Sequence, residues 1–284
     1  MKLRIYFFAA LVFSFTVFQS NIFAEDGKVK SKDGTEIIYS LQGDGDVALV
    51  FIHGWSCDKS YWKNQVDEFA KDYKVVTVDL AGHGESGLER ENYTTNLFGE
   101  DVAAVINSLG LNKVVLIGHS MGGAVIFETY GIVQSPVIGL IGIDTYQNIS
   151  EKFPEEQLNQ FLQPFKDNFV EAAKGFVKSM FPAGTDSLLM ETIADDMSKA
   201  PQNVAVSAIE NLFHYENPEL LTKISVPVIS INGDLFPTNF EANKKLLPTY
   251  ELKIINNCGH FPMFEKTEEF NKILKETIDE LTEK

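Results

Sequence analysis

Residues 113–127 read KVVLIGHSMGGAVIF, and this stretch decides the fold that we predict for the chain. Its first part is a short apolar run typical of a buried strand, and its second part opens a helical pattern. Ser120 lies between Gly118 and Gly122 at this junction, a spacing typical of a sharp turn that exposes the serine hydroxyl. Side chains at the two glycine positions would collide in such a turn. The alternative is an ordinary serine that caps the N-terminus of a helix.

The same alternation of apolar runs and helical patterns extends along most of the chain. Apolar residues recur on one helical face at residues 98–109 and again at residues 270–281. This order predicts an α/β fold with a mostly parallel sheet of eight strands and helices on both faces. We expect the first two strands to form an antiparallel edge. The predicted strands are Lys28–Ser31, Glu36–Leu41, Val47–Ile52, Val75–Val78, Val114–Ile117, Val137–Ile143, Val226–Ile231 and Glu251–Ile255.

One long segment breaks this alternation. Residues 146–222 contain no β-run, but they contain helical patterns at Glu155–Asp167 and Pro201–His214. A connection of this length is uncommon unless it has structure of its own. We therefore predict a helical cap at residues 146–222, inserted into a core formed by residues 25–145 and 223–284.

The first 24 residues have the layout of a secretory signal peptide. Lys2 and Arg4 give a basic start, an apolar stretch follows, and Ala24 precedes an acidic pair. The alternative is an uncleaved membrane anchor, because the apolar stretch lies near the minimum length for spanning a bilayer. We favour cleavage after Ala24, which predicts an exported protein in the periplasm or outside the cell, without membrane insertion.

The chain is strongly acidic. Lys and Arg number 24 against 40 Asp and Glu, a net charge of −16; loss of Lys2 and Arg4 with the leader leaves 22 against 40, or −18. Such a charge repels nucleic acid and anionic lipid surfaces. We therefore expect a small-molecule substrate and no nucleic acid as partner, while the charge leaves the oligomeric state open.

The two cysteines, Cys57 and Cys258, are most simply two free thiols, although an exported chain could also join them. The five histidines are scattered, with no two at the spacing of metal ligands, so we predict no metal site. No glycine-rich phosphate loop opens a helix after the first strand, so we expect no nucleotide cofactor.

Three further segments, together with the serine turn, resemble the α/β-hydrolase family over nearly all of residues 27–284. They are His53-Gly54-Trp55, the loop DLAGHGES at Asp79–Ser86, and GHFP at Gly259–Pro262. The resemblance is to the serine hydrolase branch with a helical cap. It implies that Ser120 is a nucleophile and that backbone N–H groups of Trp55 and Met121 form an oxyanion hole.

A serine nucleophile needs a base, and one histidine has the right place in the predicted topology. His260 follows the last strand and precedes the final helix, from where it can reach Ser120. His53 and His83 lie in loops where the resemblance implies structural roles. The side chain of His119 should point away from the site, and His214 lies in the predicted cap.

Besides the serine and the histidine, the catalytic triad of this family needs a carboxylate that orients the histidine. In this sequence the carboxylate is not where the family usually has it. In the loop GDLFP at Gly233–Pro237, the usual acid position is Phe236, which cannot serve. Asp144, at the end of the sixth strand, and Asp234 are the two replacements, and we favour Asp144 because a strand end is a fixed platform. Glu241 is a weaker option, because Thr238–Glu241 is typical of a capping box that opens a helix.

The predicted topology brings several large side chains near the site. They suggest an apolar acyl or alcohol group in the substrate, although such residues also pack in protein cores. The predicted pocket residues are Trp55, Trp62, Phe236, Phe261 and Met263.

The sequence thus predicts an exported serine hydrolase that cleaves a carboxylic ester, thioester or lactone of a small, partly apolar substrate through an acyl-enzyme. The same triad also serves carbon–carbon bond hydrolases and cofactor-free haloperoxidases. A third possibility is a catalytically silent ligand-binding member of the fold, which the missing acid at position 236 keeps open.

Overall fold

The structure, a computed structural model, describes residues 25–133 and 137–282. The predicted signal peptide at residues 1–24 lies outside the described residues. Where it is described, the chain forms one eight-stranded sheet with helices on both sides, which confirms the predicted fold class.

The strand order in the sheet is β1-β2-β4-β3-β5-β6-β7-β8. The first strand pairs antiparallel with the second, and the second pairs antiparallel with the fourth; all other pairs are parallel. The predicted antiparallel edge is thereby confirmed. The strands are β1 Glu25–Lys30, β2 Glu36–Gln42, β3 Ala48–Ile52, β4 Lys74–Val78, β5 Val114–His119, β6 Val137–Ile143, β7 Val228–Gly233 and β8 Tyr250–Ile255.

The described residues contain eleven α-helices. Helices α1 and α11 pack against each other, as do α2 and α3, and both pairs contact strands. Within residues 25–133 and 137–282, no helix is both long and apolar enough to cross a bilayer. The helices are α1 Lys63–Phe69, α2 Thr95–Ser108, α3 Met121–Val133, α4 Glu155–Asp167, α5 Phe169–Lys178, α6 Ser187–Met197, α7 Gln202–Phe213, α8 Pro218–Leu221, α9 Phe240–Leu246, α10 Pro262–Glu265 and α11 Thr267–Thr282.

The central strands are fully buried because their apolar runs face helices on both sides. Every residue of β3 and β5 is buried, which is the pattern expected of strands inside a parallel sheet. The seventh strand begins at Val228, two residues later than predicted. Pro227 directly precedes it, and a proline has no N–H to contribute to the ladder of a central strand.

Five helices, α4 to α8, lie between β6 and β7 with no strand among them. The predicted helix at Glu155–Asp167 is confirmed, and the one at Pro201–His214 is one residue shorter at each end. Helix α4 packs on α5 and α7, and α5 packs on α6. The division into a core and a cap at residues 146–222 stays an interpretation of this pattern.

Candidate active site

Ser120 stands at the predicted junction between a strand and a helix. Strand β5 ends at His119 and α3 begins at Met121, so Ser120 alone makes the turn, with φ of +52°. A Cβ on Gly118 would lie 2.2 Å from the carbonyl oxygen of Gly122. The sharp turn therefore depends on these glycines, and it presents the Ser120 hydroxyl at a helix N-terminus, where the helix dipole favours a developing anion.

The His53-Gly54-Trp55 loop lies directly against this turn. A Cβ on Gly54 would lie 2.8 Å from Nδ1 of His119 and 3.2 Å from the Cβ of Ser120, so a side chain here would force the loop away from the turn. Among the described residues, neither the backbone N–H of Trp55 nor that of Met121 has a protein acceptor. Two unpaired amides beside a serine can stabilise a developing oxyanion.

His53 holds this loop in place as a neutral side chain. Its Nε2 accepts a hydrogen bond from the Leu80 N–H at 3.1 Å, and its Nδ1–H donates to the Gly54 carbonyl at 2.8 Å. Burial lowers the pKa of His53 to about 4, so the ring stays uncharged near neutral pH. The structural role that the resemblance implied for His53 agrees with this geometry.

His260 forms a hydrogen-bonded pair with the buried Asp144. The Nδ1 of His260 lies 2.5 Å from Oδ2 of Asp144, and their side chains are 12% and 1% exposed. The other oxygen of Asp144 accepts from the Gly233 N–H at 2.9 Å. Asp144 directly follows β6 and has φ of +41°, a left-handed conformation uncommon outside glycine. These contacts hold the imidazole so that its Nε2 is free for another partner.

Asp234 has a different position. Its carboxylate is exposed and accepts hydrogen bonds from the N–H groups of Asn257 and Cys258, at 3.0 and 3.1 Å. These bonds lower the pKa of Asp234 below its usual value. Asp234 therefore braces the loop that carries His260 and does not contact the imidazole.

Glu241 is also far from this role. It lies exposed in the first turn of α9. The helix starts where expected, but the predicted capping box is wrong by one residue. Asn239, not Thr238, caps the helix by accepting from the Ala242 N–H. Thr238 does not cap the helix, because its hydroxyl accepts a hydrogen bond from the side chain of Asn232 instead.

From the place of His119 beside Ser120, we predicted that its side chain points away from the site. That prediction was wrong. The ring centroid of His119 is 4.8 Å from that of His260, and its Nε2–H donates to the His260 carbonyl at 2.8 Å. Burial and the neighbouring His260 hold the pKa of His119 well below its usual value. As the last residue of β5, His119 is directed along the sheet edge toward the loop after β8, which it helps to fix.

Glu265 also holds His260, and the sequence analysis missed it. Its carboxylate accepts from the N–H groups on both sides of His260, those of Gly259 at 3.0 Å and Phe261 at 2.9 Å. Burial raises the pKa of Glu265. Its position five residues after His260 was the only available signal, because its partners are backbone groups that have no sequence signature.

We expect Glu265→Ala to lower kcat for a nitrophenyl ester about 10- to 100-fold while KM changes little. Two buried amides lose their acceptor, and a small displacement of a catalytic group has costs of this size. Glu265→Gln keeps one acceptor and should recover part of the rate. Glu241→Ala, at an exposed site, is the matched control. Equal losses of rate in the Glu265→Ala and Glu241→Ala variants would contradict the positioning role.

Ser120, Asp144 and His260 all line one cavity of about 750 Å³. This volume lies within the usual range for small-molecule sites. Helices α5 to α8 contribute to its wall, so the segment between β6 and β7 covers the site. Trp55 and Phe236 line the cavity as predicted, and Phe236 is 38% exposed.

The other three predicted pocket residues, Trp62, Phe261 and Met263, do not line this cavity, and all are fully buried. Trp62 packs on the ring of Phe51, at 5.0 Å between centroids, and Phe261 stacks on Phe181 at 5.1 Å. That part of the prediction was wrong, because nearness in sequence to the site does not decide which way a side chain points.

Both cysteines are buried and free, which confirms the simpler interpretation. Cys57 lines the cavity, where burial raises the pKa of its thiol well above the usual value and keeps it protonated. In residues 25–133 and 137–282, no three His, Cys, Asp or Glu side chains form a group that could hold a metal ion.

The chain is similar in sequence and in fold to known proteins. The chain is similar to the Karrikin insensitive 2 receptor CA of Petunia hybrida, at 25% identity over 66% of this chain and 73% of the receptor. It is also similar to the non-heme chloroperoxidase CPO-A1 of Kitasatospora aureofaciens, at 24% identity over 81% of this chain and 90% of that protein. Among solved structures, a thermophilic esterase from Thermogutta terrifontis superposes with a TM-score of 0.76 and 25% identity, covering 91% of this chain and 99% of the esterase.

The similarities to these proteins extend over most of the chain, and its relatives include esterases, lactonases and haloperoxidases. The sequence model of the Alpha/beta hydrolase family matches residues 49–273, which contain the serine turn, Asp144 and His260. The chain therefore belongs to the alpha/beta hydrolase family.

Proposed function

We propose that the protein is a serine hydrolase that cleaves a carboxylic ester, thioester or lactone of a small, partly apolar substrate. One observation carries the proposal. His260 is hydrogen-bonded to the buried Asp144 at 2.5 Å, and both line the same cavity as Ser120. Together with two unpaired amides, this set contains every group that acyl transfer to a serine requires.

In the proposed reaction, the Ser120 hydroxyl attacks the substrate carbonyl while Nε2 of His260 takes its proton. Asp144 keeps the proton of the imidazole on Nδ1 and stabilises the imidazolium that forms. The Trp55 and Met121 N–H groups bind the oxyanion. His260 then protonates the leaving group, and water releases the acid from the acyl-enzyme by the same steps.

The buried acid supports an enzyme over a silent ligand-binding protein, although the relatives include a Karrikin insensitive 2 receptor. Burying a carboxylate costs free energy, and Asp144, which is 1% exposed, is placed to orient the imidazole as acyl transfer requires. Haloperoxidases and carbon–carbon bond hydrolases use the same triad. These alternatives therefore differ from the proposal in the substrate and not in the catalytic residues.

We also propose that the protein is exported, because residues 1–24 have the layout of a signal peptide. Its acidic charge fits a small-molecule substrate better than a nucleic acid. Fractionation of cells that express the full chain tests this proposal: the protein should lack residues 1–24 and leave the cytoplasm.

The activity is tested by turnover of a panel of nitrophenyl esters, thioesters, lactones and diketones, with halide plus peroxide as a separate assay. We expect release of a carboxylic acid from the esters at about 1–10³ per second, the usual range for enzymes. If the protein hydrolysed none of the esters, thioesters and lactones in the panel, the result would contradict the proposal. Turnover of the diketones alone would favour the carbon–carbon hydrolase.

A further inference from the structure

Five aromatic side chains form a continuous row from the oxyanion loop to the entrance of the cavity. We call this row the aromatic wall, and its members are Trp55, Phe176, Phe161, Phe213 and Phe153. Successive ring centroids are 5.9, 5.3, 5.2 and 4.6 Å apart, all in edge-to-face arrangement. Four members line the cavity, and Phe161 backs them.

The wall begins at the reacting centre and ends in solvent. Trp55 follows Gly54, which lies against Ser120, whereas Phe153 is 46% exposed. The indole N–H of Trp55 donates to the Ala205 carbonyl at 2.7 Å. Because this polar group already has a partner, the indole offers the cavity only apolar surface.

Charged groups are kept away from the interior of the cavity. Apart from the site residues Asp144, His119 and His260, the ionisable carboxyl and amino side chains that line it are Glu151, Lys152 and Glu216. All three are exposed, and Lys152 pairs with Glu216 at 2.6 Å. Burying a charged chain along the wall would therefore meet no compensating partner.

The two halves of a bound ester separate at the reacting carbon. His260 gives its proton to the leaving group, so the leaving group must lie on the His260 side. There Phe236 stands with its ring centroid 6.5 Å from that of His260. With the carbonyl oxygen at the Trp55 N–H and the leaving group beside His260, the acyl chain points away from His260, and the apolar surface available to it is the wall that begins at Trp55.

We propose that the aromatic wall binds the acyl group, and that the preferred substrates are esters, thioesters or lactones with an extended, uncharged apolar acyl chain. This inference rests on the proposed function and names its substrate class. Each buried CH₂ contributes about 0.8 kcal/mol, which is about a fourfold gain in kcat/KM for each methylene that lies on the wall.

The test compares nitrophenyl acetate, butyrate, hexanoate, octanoate and decanoate below their solubility limits. We expect kcat/KM to rise steadily with acyl length. Alkyl acetates with the same range of alcohol lengths should show a much weaker trend. A flat acyl series, or a steeper trend in the alcohol series, would overturn the assignment. Loss of activity on every ester, acetate included, would instead contradict the proposed function.

Variants of the wall give an independent readout. Phe213→Ala should lower kcat/KM for decanoate about tenfold, since a buried phenyl contact contributes about 1.5 kcal/mol or more, yet leave acetate within about twofold. Phe213→Leu is a milder change that preserves folding and should give a smaller loss in the same direction. Phe240→Ala, an exposed ring on α9 that does not line the cavity, is the matched control. An equal loss on acetate and decanoate would show a purely structural role and overturn the proposal.

Discussion

Ser120→Ala should lower kcat for nitrophenyl butyrate by about 10⁴- to 10⁶-fold, because it removes the nucleophile itself. The change removes only one hydroxyl, and alanine can take the Ser120 backbone conformation at the same small cost as serine. The fold and the cavity should therefore persist. The rate is measured by release of nitrophenol from purified protein, after far-ultraviolet circular dichroism has shown that the variant is folded.

The matched control for this substitution is Ser108→Ala. Ser108 is exposed at the end of α2, and its hydroxyl donates only to the Val105 carbonyl. Its removal should leave kcat unchanged within about twofold. If Ser120→Ala kept a tenth or more of the wild-type rate, another group in the chain would be the nucleophile.

Asp144→Asn should lower kcat by about 10⁴-fold, a loss at the lower end of the range expected for Ser120→Ala. The side chain keeps its shape, but the neutral amide favours the wrong imidazole tautomer and no longer stabilises the imidazolium. KM should change little, because Asp144 forms hydrogen bonds with His260 and Gly233 and positions the catalytic histidine without binding the substrate. The kcat and KM values of wild type and variant, measured side by side, check this expectation.

Asp234→Asn distinguishes the two acids that the sequence left open. Asp234 binds two backbone amides of the His260 loop without contacting the imidazole. An asparagine keeps one acceptor oxygen, so we expect kcat to fall by less than about tenfold. A reversed order, with Asp144→Asn near wild-type and Asp234→Asn strongly impaired, would assign the triad acid to Asp234.

The fold was predictable because the inner strands β3 to β7 are almost entirely buried and therefore read as continuous apolar runs. The serine turn was predictable because glycines are required at two fixed positions around Ser120, where a side chain would collide. Strand boundaries were less certain: β1 begins at Glu25, before the predicted Lys28, because an exposed edge strand carries few apolar residues.

The sequence alone could not decide which aspartate is the acid of the triad, and the reason is physical. Asp144 and Asp234 follow β6 and β7, which are neighbours in the sheet, so both carboxylates start near the same edge. Only the left-handed backbone at Asp144 and the hydrogen bond from Gly233 decide which one meets His260. Such local geometry has no periodic signature in the sequence.

The pocket was the least predictable part. Trp62, Phe261 and Met263 lie close in sequence to site segments but face the core. The residues that do form the wall, such as Phe176 and Phe213, come from the segment between β6 and β7. Their contacts depend on how several helices pack, and the sequence shows only that each helix is amphipathic.

The most direct test of the central claim is covalent labelling with a fluorophosphonate, followed by peptide mass spectrometry. Folded protein should take up one phosphonyl group, on Ser120, and unfolded protein none, because only the base and the oxyanion hole activate this hydroxyl. Asp144→Asn should label far more slowly than Asp234→Asn. Absence of labelling in folded protein, or labelling at a residue other than Ser120, would contradict the assignment of Ser120 as the nucleophile.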